Sequence, residues 1–349
     1  MNTRRDILIA GAALTASSAM PAFGAERPKS VLGTSKTALG HYLRKLSAAG
    51  GGRIDPIAVV DHVRALGGGG VQFSVPLDAD LRALRARLEH HGMFIQGDID
   101  LITRFKDDPA SLEQALRNYK ELGADAVRMV CFIGRRYETF KTLQDYKDWR
   151  AGATAALDAL LPVAERVGIP LAMENHKDRA VDEEIEVLRK YSSEHLGATV
   201  DFGNNIAMCD DPMDVIDKLA PFAKAVHMKN MAVRNYPDGF LLSEVLFEDG
   251  FMDIPAMWAV LKKANPVLKP VHEMITRDPL KVAVLTDQYW ATWPDRGGKF
   301  LADTIRLVNG HQSGKPLPVV SNLTQDQQMQ VEEDNNIKCF DWARTALAA

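Results

Sequence analysis

Short apolar runs alternate with longer stretches of helical spacing along most of the chain. Apolar runs of about four to eight residues are typical of buried parallel strands, and apolar positions three and four apart indicate helices packed on a sheet. The pattern predicts early strands near residues 31–39, 71–75, 93–101 and 126–133. It predicts helices near residues 56–66, 77–91, 110–122, 146–167, 182–191, 212–219, 253–264 and 300–308. This alternation favours an α/β fold with a parallel sheet.

Four further apolar runs each end in a side chain that can bind a metal. These end residues are Glu174, Asp201, His227 and Glu273. They are 27, 26 and 46 residues apart, which is compatible with one βα unit between neighbours. The carboxyl ends of the strands of a barrel meet at one rim, so four such ends in succession predict a shared site. Three carboxylates and one imidazole favour one divalent ion, such as Mn²⁺, Co²⁺ or Mg²⁺.

Eight β then α units predict a single (β/α)8 TIM barrel over residues 30–312. The alternative is an open doubly wound sheet, which normally has a glycine-rich phosphate turn after its first strand. Here the glycine run at 67–70 precedes a strand, which disfavours that alternative and a dinucleotide site. A long insert at 229–252 follows strand seven and is interpreted as a lid. A C-terminal extension at 313–349 includes a predicted helix at 325–347, which we expect to pack against the barrel or against another subunit of a homo-oligomer.

The first 24 residues have the features of an export signal. The pair Arg4-Arg5 precedes an apolar run at 7–14, and small residues occupy positions 22 and 24. An amphipathic N-terminal helix is the alternative interpretation. We expect a twin-arginine signal peptide at 1–24 and therefore a periplasmic protein.

Composition narrows the classes of partner. The 349-residue chain has a formal net charge of −4 and no basic block, which argues against nucleic acid. No apolar run beyond the N-terminal segment reaches the roughly 18 residues of a membrane span. The three cysteines are widely spaced and form neither a disulfide framework nor a zinc-thiolate motif. A small-molecule substrate is the remaining class.

Side chains beside the four strand ends are candidates for substrate contact. His176 and Lys229 each lie two residues beyond one of these ends and share its face of the strand. Lys229 is explained nearly as well as an ion-pair partner at a strand end. Trp290, among other aromatic residues after strand eight, indicates either a wall for a sugar face or a core patch beneath a loop. Arg128, inside an apolar strand, suggests a buried ion pair.

Four motifs around these strand ends carry a resemblance to a known family. They are Met173-Glu174-Asn175-His176, Val200-Asp201-Phe202-Gly203-Asn204, Val226-His227-Met228-Lys229 and His272-Glu273-Met274. Over residues 30–310 the chain resembles the xylose isomerase-like TIM-barrel superfamily, the sugar phosphate isomerase/epimerase group that includes the D-tagatose and D-psicose 3-epimerases. The resemblance implies that Glu174, Asp201, His227 and Glu273 bind the metal. It also implies that Glu174 and Glu273 are catalytic and exchange the substrate proton.

The chain departs from the family pattern in two places. The epimerases usually have a histidine where this chain has Asn204, which becomes a candidate substrate contact. The related abasic-site endonuclease uses further histidines on strands two and three, and residues 71–74 and 96–100 contain none. The departures imply one metal ion rather than three and disfavour DNA repair.

These observations predict a metal-dependent isomerase or epimerase that acts on an unphosphorylated keto-sugar or keto-glycoside through an enediolate. A 3-keto-glycoside lyase or hydrolase would begin with the same proton abstraction, and a non-catalytic periplasmic sugar-binding barrel is an alternative of another class. Export would separate the protein from cytoplasmic sugar phosphates, and no glycine-rich turn enters a helix to hold a phosphate. Lys229 and Arg234 keep a phosphorylated substrate open as an alternative.

Overall fold

Eleven strands are present in the structure, a computed structural model that describes residues 27–347. In chain order they are β1 (Gly33–Ser35), β2 (Gly70–Phe73), β3 (Phe94–Leu101), β4 (Val127–Val130), β5 (Leu171–Glu174), β6 (Leu196–Asp201), β7 (Ala223–His227), β8 (Asn230–Tyr236), β9 (Gly239–Val245), β10 (Val271–His272) and β11 (Leu280–Val282). The predicted signal peptide at 1–24 lies outside the described residues.

Eight of these strands form a parallel sheet in the order β10, β1, β2, β3, β4, β5, β6, β7. Met228 joins the two edges of this sheet. Its N–H donates to the Val271 carbonyl at 2.8 Å, and the Glu273 N–H donates to the Met228 carbonyl at 2.9 Å. The predicted (β/α)8 TIM barrel is therefore confirmed, and the carboxyl ends of its strands lie at one rim.

Twelve α-helices occur in the described residues. They are α1 (Gly40–Ala49), α2 (Pro56–Leu66), α3 (Leu81–His91), α4 (Pro109–Glu121), α5 (Arg136–Thr139), α6 (Leu143–Val167), α7 (Val181–Tyr191), α8 (Pro212–Leu219), α9 (Ile254–Ala264), α10 (Asp287–Trp290), α11 (Gly298–Gly310) and α12 (Gln325–Ala346). Five begin at an aspartate whose carboxylate accepts backbone N–H groups of the first turn, namely Asp55, Asp80, Asp108, Asp211 and Asp253. Helix α2 has the predicted bounds, and Gly67 ends it in the left-handed region at φ 100°.

The sequence pattern does not predict helix α1. None of its residues is fully buried. Its first N–H groups are capped from a distant part of the chain, because the Glu332 carboxylate accepts from the His41 and Tyr42 N–H groups at 2.8 Å each. A cap that comes from α12 leaves no local signal at the start of α1.

The insert at 229–252, interpreted as a lid loop, forms two strands over most of its length. Strands β8 and β9 pair as an antiparallel hairpin, and β11 pairs with the other edge of β9. Val233, Phe240 and Leu242 of this sheet are fully buried. Residues 230–233 of β8 are buried in succession, so this hairpin is packed into the protein rather than exposed as a loop.

The C-terminal helix α12 packs against the barrel wall at β1 and β10. Asn336 accepts from Thr34 Oγ1 at 3.0 Å and donates to the Ala38 carbonyl at 2.8 Å. The Phe340 ring meets His272 edge-on, with 5.2 Å between centroids. The extension thus joins the hydrophobic core of its own barrel, the first of the two packings expected for it.

No helix within 27–347 combines the length and the hydropathy that a membrane crossing requires. Cys131, Cys209 and Cys339 are buried free thiols.

Candidate metal centre

Four side chains from neighbouring strands converge at the carboxyl rim of the barrel. Glu174, Asp201 and His227 are the last residues of β5, β6 and β7, and Glu273 follows β10. Each is at most 3% exposed. One ligand atom from each lies within 4.8 Å of the others. Two ligands of one divalent ion, each about 2.0–2.6 Å from it, are at most about 5.2 Å apart, so this spacing suits a single ion.

The imidazole of His227 offers an unused nitrogen to this cluster. Its Nδ1 is buried without a hydrogen-bond partner and lies 3.3 Å from Glu273 Oε1 and 3.4 Å from Glu174 Oε1. The other nitrogen, Nε2, lies 2.5 Å from the side-chain oxygen of Gln72. An amide oxygen only accepts, so Nε2 carries a proton, and the lone pair of the neutral ring is on Nδ1. A lone pair that faces carboxylate oxygens fits a site for a cation.

Hydrogen bonds from the protein fix the orientation of each carboxylate. Asp201 Oδ1 accepts from the Gly203 and Asn204 N–H groups at 2.9 and 2.7 Å, which turns Oδ2 towards the cluster. The Thr37 hydroxyl donates to Glu273 Oε1 at 2.6 Å. Such outer contacts hold ligating oxygens in place before a metal binds.

Arg128, on β4, forms the buried ion pair that the sequence suggests. Its Nε donates to Glu174 Oε2 at 2.7 Å, and its Nη1 donates to Asp98 Oδ2 at 3.1 Å. Burial acts to raise the pKa of Glu174, but the Arg128 guanidinium outweighs it and holds that pKa well below its usual value. Glu174 is therefore ionised at neutral pH.

Two lysines meet at the side-chain oxygen of Asn204. Lys229 Nζ donates to it at 3.0 Å and lies 2.8 Å from both Asp201 Oδ2 and Glu273 Oε2. Lys177 Nζ also donates to it, but Lys177 has no carboxylate partner within 4 Å among residues 27–347. Burial, followed by the charge of Lys229, lowers the pKa of Lys177 to about 7. The site thus contains a buried amine that gains and loses a proton near neutral pH.

Comparison with known proteins identifies the family. A model of the family described as xylose isomerase-like TIM barrel matches residues 60–282. The chain belongs to this family. No curated protein matches it closely enough in sequence to indicate a more specific relative.

Three solved structures of xylose isomerase-like folds resemble the chain at low identity. A xylose isomerase-like TIM barrel protein from Mycobacterium smegmatis in complex with magnesium is 17% identical, with a TM-score of 0.52, over 71% of this chain and 89% of that one. D-allulose 3-epimerase from Methylomonas sp. in complex with D-allulose is 13% identical, with a TM-score of 0.53, over 91% and 97%. The 3-keto-D-glucoside 4-epimerase from E. coli is 12% identical, with a TM-score of 0.50, over 81% and 100%. Likeness at this level shows the fold alone.

Three of the five side chains predicted to contact the substrate lie at the cluster of candidate metal-binding residues. Asn204 Nδ2 donates to Glu174 Oε1 at 2.9 Å, and Lys229 contacts two of the carboxylates as described above. His176 is half-buried, and its Nδ1 has no hydrogen-bond partner. Burial, followed by the charge of Lys177, lowers the pKa of His176 to about 3, so the ring is neutral.

The structure does not bring Arg234 to the cluster, which corrects its assignment as a substrate contact. Its Nη2 donates to the carbonyls of Ser313 and Lys315 at 3.2 Å each, because the β8–β9 hairpin directs it to the C-terminal extension. Trp290 is half-buried, and its Nε1 donates to the Val284 carbonyl at 2.8 Å. The second interpretation of the aromatic residues, a patch beneath the loop, matches this packing.

Sequence reasoning missed several residues of the site. Thr37 lies in a short 3₁₀ helix after β1 and Lys177 in a turn after β5, and neither belongs to a motif. Gln72 enters the sequence analysis only as part of a strand that lacks a histidine. A signal existed for Gln72, because a single amide inside an apolar strand is costly to bury unless a specific partner satisfies it. Lys177 lies in the run 176–179, whose polar residues gave no reason to expect burial.

Proposed function

We propose that this protein is a divalent-metal-dependent sugar isomerase or epimerase, which moves a proton beside a carbonyl group. The observation that carries the proposal is the convergence of three carboxylates on the lone pair of His227 Nδ1 at the barrel rim. A hydrogen beside a carbonyl is weakly acidic, and its removal leaves negative charge on oxygen. A catalyst therefore needs a base at the carbon and positive charge at the oxygen. The site offers both.

The proposed ligand set is Glu174, Asp201, His227 and Glu273, with one Mn²⁺, Co²⁺ or Mg²⁺ ion. An ion held there would supply the Lewis acidity that stabilises the charge on the carbonyl oxygen. The residues fit such an ion, because His227 Nδ1 is orphaned and the three carboxylates are oriented by protein hydrogen bonds.

Glu174 and Glu273 are the proposed proton-transfer pair. Strands β6 and β7 separate β5 from β10 around the barrel, so the two carboxylates face the centre from different sides. Both are held as carboxylates by neighbouring cations and can accept a proton. Removal by one and return by the other on the opposite face epimerises a carbon, whereas return to the neighbouring carbon isomerises the sugar.

We further propose an unphosphorylated substrate. Of the two cations that favour the phosphate alternative, Arg234 binds carbonyls of the C-terminal extension, and Lys229 is already paired with two carboxylates. His176, whose Nδ1 has no hydrogen-bond partner among the described residues, remains for a sugar hydroxyl group. The twin-arginine pair Arg4-Arg5 supports a periplasmic location, where sugar phosphates are not the common substrates.

A 3-keto-glycoside lyase is the second candidate, and Lys177 is the observation that favours it. A buried ammonium group without a carboxylate partner can protonate a departing alkoxide. In that reaction a carboxylate takes the proton beside the carbonyl, the electron pair forms a carbon–carbon double bond, and the glycosidic oxygen leaves with a proton from Lys177 Nζ. The same first step serves both candidates.

Solvent exchange tests the proposal and separates its alternatives. The metal-loaded protein is incubated in D₂O with ketohexoses and with 3-keto-glucosides, and the products are followed by NMR. Deuterium beside the carbonyl of an epimerised or isomerised sugar supports the first candidate, and an unsaturated product with a released alcohol supports the second. Glu273→Gln should keep the fold and lose exchange. Saturable sugar binding with no exchange for any of these substrates would favour the non-catalytic sugar-binding barrel and refute the proposal.

A further inference from the structure

A row of side-chain hydrogen bonds connects His227 to the opposite end of the barrel. Gln72 Nε2 donates to Gln96 Oε1 at 3.1 Å, and Gln96 Nε2 donates to Asp125 Oδ1 at 3.0 Å. With the contact between Gln72 Oε1 and His227 Nε2 at 2.5 Å, four side chains form one continuous row. Asp125, just before β4, is 37% exposed, and its other oxygen lies 3.2 Å from Lys269 Nζ.

The two glutamines of this row lie inside the barrel. They are register partners on β2 and β3, and both are fully buried. The bond to His227 crosses the interior, because β1 and β10 separate β2 from β7 around the barrel. These two amides occupy positions where the interior of a barrel normally has apolar side chains. Burying an amide is costly unless each of its polar atoms has a hydrogen-bond partner. The completed row satisfies that requirement.

The carboxylate at the end of the row determines the direction of every bond in it. Asp125 can only accept, so Gln96 must turn its NH₂ group towards it. Gln96 then presents its oxygen to Gln72, which must donate in turn and present its own oxygen to His227. An oxygen at that position requires a proton on His227 Nε2 and leaves Nδ1 free. The row therefore selects the tautomer whose lone pair faces the carboxylate cluster.

We infer that Asp125, Gln96 and Gln72 are positioning residues, which hold His227 in the tautomer that binds a metal through Nδ1. The inference rests on the proposed role of His227 as a ligand. The assigned effect is distinct from direct contact, since Asp125 is at the other end of the barrel and touches neither ligand nor substrate.

Replacing the acceptor at the end of the row with a donor should reverse the direction of every hydrogen bond in the row. In Asp125→Lys the ammonium donates to Gln96 Oε1, Gln96 donates to Gln72, and Gln72 donates to His227 Nε2, which places the proton on Nδ1. Asp125→Asn can still present an oxygen and should preserve the direction. Glu121→Lys, an exposed residue at the end of α4 near the same end of the barrel, is the control for an equal change of charge.

Calorimetric titration of the full-length metal-free proteins with Mg²⁺ and Mn²⁺ provides the first readout. Asp125→Lys should weaken binding about 10-fold or more, the usual effect of losing an outer partner of a ligating histidine. Asp125→Asn and Glu121→Lys should stay within about 3-fold of wild type. Equal affinity of Asp125→Lys and wild type would overturn the inference, as would an equal loss in Glu121→Lys.

NMR of ¹⁵N-histidine-labelled protein provides the second readout, with the His227 signals assigned by their absence in His227→Ala. The Mg²⁺-loaded wild type should carry its proton on Nε2, and Asp125→Lys should shift protonation to Nδ1. A proton on Nδ1 in the wild type would also overturn the inference. If His227→Ala binds metal as tightly as wild type, the proposed ligand set fails. If His227→Ala loses metal and Asp125→Lys does not, only the positioning role fails.

Discussion

Arg128 donates two hydrogen bonds to the same oxygen of Glu174, one from Nε at 2.7 Å and one from Nη2. Both side chains are buried, on the neighbouring strands β4 and β5. Arg128 thus occupies Oε2 of Glu174, and the other oxygen, Oε1, lies beside His227 Nδ1. The geometry of the candidate ligand therefore depends on a cation that the family motifs do not include.

Removing Arg128 alone should destabilise the metal-free protein strongly, because a buried carboxylate would lose its partner. We expect Arg128→Met to lower the free energy of unfolding by about 3–5 kcal/mol. The double variant Arg128→Met with Glu174→Gln should regain part of this loss, since the unpaired charge is gone. Urea unfolding of the single and double variants in a chelator measures both effects. No recovery in the double variant would show that the ion pair is not the cause.

Lys177 should control an alkaline limb in the pH profile of turnover. Its pKa is lowered to about 7 by burial and by Lys229, so as pH rises through about 7 the ammonium loses its proton. If the charged form assists the reaction, kcat should fall over that range, and a bound divalent cation would move the limb lower.

Two substitutions of Lys177 separate charge from packing. Lys177→Met should lower kcat about 10-fold or more and abolish the limb, because the positive charge is lost at every pH. Lys177→Arg stays charged, so it should keep activity without the limb. Steady-state kinetics from about pH 5 to about pH 9 provide the test. An unchanged profile in Lys177→Met would remove this residue from the reaction.

The sequence predicts the barrel because its signals are local. Apolar runs, aspartate caps and closing glycines each lie within one element. The four residues of the metal cluster are also visible, since each marks a strand end and a barrel brings strand ends together. Hydrogen-bond partners that are far apart in the sequence leave no local pattern. Arg128 and Glu174 are 46 residues apart, and Gln72 and His227 are 155 apart.

Arg234 shows a different limit of sequence reasoning. Five residues beyond Lys229, it is near the site in sequence. The turn between β8 and β9 determines where its side chain goes, and an antiparallel hairpin was not expected there. In this hairpin the Arg234 side chain donates to the carbonyls of Ser313 and Lys315.

Glu332 should make stability depend on pH. Burial raises its pKa to about 7 from an ordinary 4.5, although the His41 and Tyr42 N–H groups act against this. Between these two values the folded protein keeps a proton that the unfolded chain releases, so stability falls as pH rises through the window.

Glu332→Gln does not titrate and should lack this dependence. The Tm of the variant relative to wild type should therefore become more positive between about pH 5 and about pH 8. The matched control is Glu121→Gln, an exposed acid on α4. A constant difference in Tm across this range would contradict the assignment of a raised pKa to Glu332.

Export by the twin-arginine route predicts a specific effect of the two N-terminal arginines. Arg4→Lys combined with Arg5→Lys keeps the charge but removes the pair that the pathway reads. The double variant should accumulate in the cytoplasm, whereas wild type should appear in the periplasm on fractionation. An unchanged periplasmic yield would refute this route.

The substrate proposal predicts a preference for neutral sugars over their phosphates. A phosphate dianion needs cations that are free to hold it. Lys229 is paired and Arg234 is directed to the C-terminal extension, which leaves Lys177 as the lysine at this rim without a carboxylate partner in the described part of the chain. For matched pairs of sugar and sugar phosphate, kcat/KM should be equal or higher for the neutral member. Arg234→Ala should leave both values within about 2-fold of wild type, because the side chain does not reach the cluster.

A kcat/KM at least about 10-fold higher for the phosphate, which is about 1.4 kcal/mol of added transition-state stabilisation, would contradict the proposal. Loss of that advantage in Lys177→Met would then identify Lys177 as the residue that binds the phosphate.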